Sequence, residues 1–244
     1  MGKEKRKIWN LPPEEEQKGL LFWFQLLQKH YYTLLQVNIY GVGSLLPCAY
    51  FLYLLVQTKD LVFWLLALVC FALAGPCQAG MNSVCVRLVH RMPVWVKEDF
   101  ARAWKDWKKS VPLSLLLGLA WSMLAYGVYM VISVDGGLSV SYFMLFLVVG
   151  YLLTGISLFA YQQVAMLELP LSAVLKNAVL LVFAGKLRSF FAIVVLVAMA
   201  LIPVIYYGLA VYLLLLGWCA LGVLTANLIF APTFAKLFLS GEAE

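Results

Sequence analysis

Long apolar runs broken by short polar stretches dominate this chain, and most of the runs have the length of a bilayer crossing. A spanning helix needs about 20 predominantly apolar residues. Tyr31–Val56 meets that length, and Gly41, Gly43 and Pro47 within it predict a kink. The hydrophilic Gln57-Thr58-Lys59-Asp60 is the first turn. Leu61–Val86 is a second run, weakened towards its end by Gly75-Pro76 and the polar Gln78, Asn82 and Ser83. Val111–Val134 opens with Pro112, where a missing N–H is harmless in a first turn. Asp135-Gly136-Gly137 then predicts a tight turn into Leu138–Leu167, a run long enough to tilt. Between Ser189 and Ala235 no charged residue occurs. As one helix that stretch would measure roughly 70 Å, more than twice a hydrocarbon core of ~30 Å. It divides near Tyr206-Tyr207-Gly208, whose tyrosines suit an interface, into spans 189–207 and 208–235. The predicted fold class is all-α, a polytopic transmembrane bundle of about six spans.

The segments between the runs are charged. Residues 1–30 form a lead-in, in which Gly19–His30 puts Leu20, Trp23, Phe24, Leu27 and Tyr31 at helical spacing, as in a short interfacial helix. The start lacks the apolar core and small-residue cleavage site of a signal peptide, and Arg6 spoils a myristoylation pattern. Arg87–Lys109 is the longest charged stretch between apolar runs. From Pro93 it is helical in pattern, with Val96, Phe100, Ala103, Trp104 and Trp107 on one face. Lys97, Glu98, Arg102, Lys105, Asp106 and Lys109 take the other. Leu169–Lys186 is a second candidate for a cytoplasmic helix. Pro93 and Pro170 each open such a helix, and Lys109 and Lys186 close them at the same distance, so an offset of 77 (93 to 170) relates spans two and three to spans four and five as a parallel repeat.

Composition confirms the class of object and reassigns the charge. The chain is 64% hydrophobic and 12% charged, with mean hydropathy +0.91, whereas soluble domains are roughly 45–50% apolar and about 25% charged. The net charge of +6 would suit nucleic acid, but topology accounts for it. With six spans, every lysine and arginine except Lys59 falls on one side. The positive-inside rule makes that side cytoplasmic, with both termini and the tail 237–244.

Candidate chemistry is sparse. No GxSxG, HExxH, P-loop or paired-carboxylate pattern occurs, so no catalytic residue, metal ligand or cofactor is assigned. Five cysteines lack CxxC spacing and read as small buried hydrophobes. His30 and His90 have no acid or cysteine at ligand spacing. Glu168 closes the fourth span, with Lys176, Lys186 or Arg87 as candidate partners. Two groupings remain. Phe100, Trp104 and Trp107 with Lys97, Arg102, Lys105 and Lys108 would seat a helix in the headgroup layer, where each basic residue is worth about 1 kcal/mol. The same residues would dock a partner. Gln36, Asn38, Gln78, Asn82, Gln162, Gln163, Glu168, Thr225 and Asn227 would either line a polar cavity between spans 1, 2, 4 and 6 or bind helices together at about 1 kcal/mol each.

Four features resemble the YesL-like family of bacterial integral membrane proteins, a domain of unknown function. They are Asn38 followed by Pro47, Gly75-Pro76, DFARAWKDWKKS (Asp99 to Ser110), and LSAVLKNAVLLVFAGKLRSF (Leu171 to Phe190), together covering residues 33–205. The resemblance implies a multi-pass protein of the bacterial inner membrane, encoded near carbohydrate-uptake ABC transporters and polysaccharide-degrading enzymes. It points to a non-enzymatic accessory component of sugar uptake, with ABC-type permease subunits as candidate partners and a homo-oligomer left open. A small transporter or channel is the alternative. A continuous cavity lined by Gln36, Gln78, Asn82 and Gln162 would favour transport; amides each bonded to neighbouring backbone would favour the accessory role.

Overall fold

The computed structural model describes residues 19–135, 139–206, 212–213 and 216–238, and among these every regular element is a helix. The first expected span is two helices, α1 (Gly19–Gly43) and α2 (Leu46–Thr58). The break at Ser44-Leu45 falls just before Pro47, which lacks the N–H a continuous helix would need. The lead-in helix is not separate from the span, because α1 begins at Gly19 and bends at His30 (φ −119°, ψ 19°) without stopping. Its buried positions are Phe22, Leu26, Leu34, Val37, Asn38 and Gly41. Phe24 and Tyr31, expected on the apolar stripe, point outward, while the Trp23 indole N–H donates to Thr225 at 2.9 Å.

Lys59, at a left-handed φ of 57°, and Asp60, which accepts from the Val62 N–H at 3.0 Å, turn the chain into α3 (Leu61–Val89). α3 passes through Gly75-Pro76 unbroken, against the expected weakening. Gly75 is needed there for close approach: a β-carbon would overlap the Ser114 hydroxyl and come within 2.5 Å of the Ser110 carbonyl. There follow α4 (Val96–Lys105), α5 (Trp107–Asp135), α6 (Val140–Met166), α7 (Leu171–Ala184), α8 (Leu187–Ile205) and α9 (Trp218–Phe238). The Gly136-Gly137 and Tyr207-Gly208 turns lie outside the described residues; Tyr206 closes α8.

Burial divides the helices into two layers. In their most apolar windows, α3, α6 and α9 are 28%, 22% and 50% buried, against 11% for both α1–α2 and α5. The first three form the core, and the others surround it with exposed apolar side chains such as Tyr50, Tyr53, Met123 and Tyr126. Only lipid can cover such a surface. α1–α2, α3, α5, α6 and α9 are each long and apolar enough to cross a bilayer, and α7 with α8, bent by 103°, meet the same standard as a pair. Among the described residues the count is five or six. α7, expected as a cytoplasmic helix, folds back along α6. Gln163 Nε2 donates to the Val174 carbonyl at 3.4 Å, and Val182 lies against Gly155. Its outward side chains Val179, Leu180 and Phe183 are apolar, as either a broken span or a re-entrant loop requires.

The expected repeat is present in element order, and it has a third copy. In each unit a short helix folds back on the preceding inner helix, a break follows, and a long outer helix leads into the next inner one. The breaks at His30, Asp106 and Gly185-Lys186 separate 19–29, α4 and α7 from the outer helices. The ends of α3 and α6 lie 77 residues apart (89 to 166). Phe100 of α4 packs on Gly80 of α3, and Trp23 of the first unit bonds Thr225 of α9, so the last inner helix receives the first short segment and the ring closes.

Candidate docking surface and buried amide centre

The central charged stretch is held to the bundle by a buried ion pair. Asp99, in the first turn of α4, has a side chain 1% exposed and accepts from Arg87 Nη1 of α3 at 2.7 Å. Arg102 approaches the same oxygen at 3.4 Å from the surface. Phe100 fills the notch over Gly80, with its ring centroid 5.0 Å from Tyr40. His90, which caps α3, is buried beside this junction, and burial pushes its imidazole down to about 4.

This corrects the predicted docking set. Phe100 is 6% exposed and points into the bundle, so it anchors α4 rather than presenting it. Trp104 (47%) and Trp107 (50%) face outward, joined by Trp95 (67%), which sequence reasoning did not select although it lies two residues after Pro93. Lys97, Arg102, Lys105 and Lys108 are exposed among them. Trp107 and Lys108 belong to the first turn of α5, because Asp106 ends α4. Three tryptophans and four cations thus share a surface spread over two helices.

The predicted polar cavity is corrected too. Gln36 and Glu168 are exposed and take no part in the interior. Gln78 is half-buried and donates to the Gly41 carbonyl at 2.9 Å. Asn38, Asn82, Gln162, Gln163 and Asn227 are buried, drawn from α1, α3, α6 and α9. Asn38 ties two helices by accepting from the Ala220 N–H at 3.0 Å, whereas Asn82 and Asn227 donate within their own helices, to the Gln78 carbonyl at 3.1 Å and the Val223 carbonyl at 2.8 Å. Another tie, missed in the sequence, is the Ser114–Tyr161 hydroxyl pair at 2.7 Å between α5 and α6. A half-open cleft of about 280 Å³ between α2, α3 and α5, against Trp64, Phe71 and Trp121, is apolar and holds none of these amides.

These features define a multi-pass helical membrane protein, with lipid-facing outer helices and amides inside its core. Comparison with protein-family models, curated proteins and solved structures finds no match.

Proposed function

We propose that this chain is a non-catalytic component of the bacterial inner membrane that docks a partner through the Trp95–Lys108 surface. The observation carrying this reading is the exposure of three tryptophans and four cations along α4 and the start of α5, with α4 pinned from behind by Arg87–Asp99 and Phe100. Tryptophan and arginine dominate the energetics of protein interfaces, and a pre-ordered helix loses little entropy on binding. The amides support the same side of the choice, since those of Gln78, Asn82, Gln163 and Asn227 are tied to backbone carbonyls. The positive-inside rule supports a cytoplasmic position for the surface. The partner to which the YesL-like resemblance points is an ABC-type sugar permease.

A mild-detergent pull-down at native expression levels, followed by mass spectrometry, tests this. Permease subunits should co-purify and be lost from the Trp104→Ala, Trp107→Ala double variant. Retention of the same subunits by that variant, or recovery of phospholipid alone, would remove the docking assignment.

A further inference from the structure

The half-open cleft between α2, α3 and α5 has a composition that limits what can fill it. α2 and α5 both pack on α3 and flank it. Leu52 of α2 stands on one side, Trp121 and Ser122 of α5 on the other, with Trp64, Leu68 and Phe71 of α3 between them. Gly118, Ser122 and Ala125 recur at four- and three-residue spacing, so one stripe of α5 carries little bulk. At Gly118 the stripe lets Phe71 and Leu68 press close; beyond it, towards Ala125, the same lack of bulk leaves the space open. Leu65, Met123 and Tyr126, on the same turns, are exposed and apolar like the rest of the lipid-facing surface, with which the cleft is continuous.

Water gains no partners in so apolar a space, and an empty cleft forfeits contacts along its walls. Hydrocarbon from the surrounding bilayer fills it at no such cost. The volume, about 280 Å³, decides how much. Sites that enclose a whole drug-sized molecule run from about 300 to 1,000 Å³, so this one takes part of a chain whose remainder stays in lipid.

The cleft also has a polar end. Trp64 is one turn into α3, a position where tryptophan favours the headgroup level. Lys59, exposed in the preceding turn, is separated from every other lysine and arginine by an apolar run on each side. Asp60 beside it is engaged as the cap of α3, accepting from the Val62 N–H. Seven residues of helix separate Leu52 from Lys59, roughly 10 Å, and a headgroup layer is about 5–8 Å thick. A chain lying at Leu52 and Trp64 therefore has its phosphate near Lys59.

We propose that the cleft is a binding site for one phospholipid of the leaflet on the Lys59 side. One acyl chain lies between α2 and α5 against Trp64 and Trp121, and Lys59 meets the phosphate. The lipid supplies the neighbour that α2 lacks on its α5 side. The Trp95–Lys108 surface is pinned at the other end of α3, by Arg87, so the site does not depend on what that surface docks.

Photocrosslinking of the full chain tests this, in vesicles of phosphatidylglycerol and phosphatidylethanolamine. A trace of the phosphatidylglycerol carries a diazirine midway along one chain, and labelled peptides are mapped. Labelling of residues 48–52, 64–71 and 118–125 should exceed that of residues 143–148 about tenfold. The latter lie at a similar depth from the start of α6, and Phe143, Met144, Leu145, Leu147 and Val148 are exposed. Ser122→Phe, which fills the cleft, should abolish the excess, and Ala125→Phe serves if that variant aggregates; monodisperse elution controls for folding. Met123→Phe, outward on the same turn, should leave it unchanged. Lys59→Ala should lower the excess about fivefold, the worth of one cation beside anionic lipid. A diazirine fatty alcohol, which has no phosphate, should be indifferent to Lys59. Even labelling of the cleft and α6, or an excess that survives in folded Ser122→Phe and Ala125→Phe proteins, would overturn the site. Depleted labelling with a dimeric mass, showing a second copy of the chain in the cleft, would overturn it too. Equal labelling by alcohol and phospholipid, unchanged in Lys59→Ala, would overturn the phospholipid assignment.

Discussion

Removing the Asp99 carboxylate offers the most quantitative check on how α4 is held. In Asp99→Ala the Arg87 guanidinium, whose side chain is 13% exposed, would keep its charge and lose its 2.7 Å partner. Breaking one side of a buried pair costs about 3–5 kcal/mol, because an uncompensated charge stays behind. For a chain of this size each kcal/mol shifts Tm by about 2–4 °C, so a fall of roughly 10 °C is expected. Intrinsic tryptophan fluorescence during thermal unfolding in mild detergent reads this directly. Arg87→Met should cost a similar amount, since it strands the carboxylate instead. The Arg87→Met, Asp99→Leu double variant should recover most of the loss, because apolar replacement of both partners is often neutral. Arg102→Ala should cost less than about 1 kcal/mol, its side chain being 55% exposed at 3.4 Å. An Asp99→Ala protein with unchanged Tm, or a double variant as unstable as the summed singles, would refute the argument that this pair pins α4.

Two further outcomes follow from individual positions. His90 is held down to about 4 by burial, below the ordinary 6.5, so the unfolded chain binds its proton first as pH falls. Stability should decline from about pH 6.5 and level off near pH 4, by on the order of 3 kcal/mol, and a His90→Gln variant should show a flatter pH profile in the same unfolding assay. Gly75→Val should lower Tm by several degrees or abolish monodisperse expression, because the added carbons meet the Ser110 backbone as well as the Ser114 hydroxyl.

Much of the fold was legible from residue order alone, because a bilayer rewards apolar length regardless of what packs on what. The α2–α3 turn at Gln57–Asp60 and the break near Pro47 are local events, set by polar side chains and by a missing N–H. The repeat was legible only in part. Pro93 and Pro170 marked two copies, but the first short segment has no proline and runs into α1 through a bend at His30, so it read as a lead-in. Its place opposite Thr225 depends on a contact 202 residues away, which no periodicity reports.

The sites divide the same way. Helical spacing alone put Phe100 with Trp104 and Trp107, since all three are large and aromatic; the notch at Gly80 took Phe100 inward and left the tryptophans out. Sequence likewise grouped the amides as polar residues in apolar runs, without showing which faced the core. Packing turned Gln36 outward, tied Gln78 to Gly41, and brought Asn82 to Asn227 across 145 residues. Residue order by itself determined that the chain lives in lipid and roughly where it crosses, because transfer free energy is a sum over side chains. Tertiary structure alone decided which helices became the inner three and which apolar side chains frame a cleft, because both depend on the partners each helix meets.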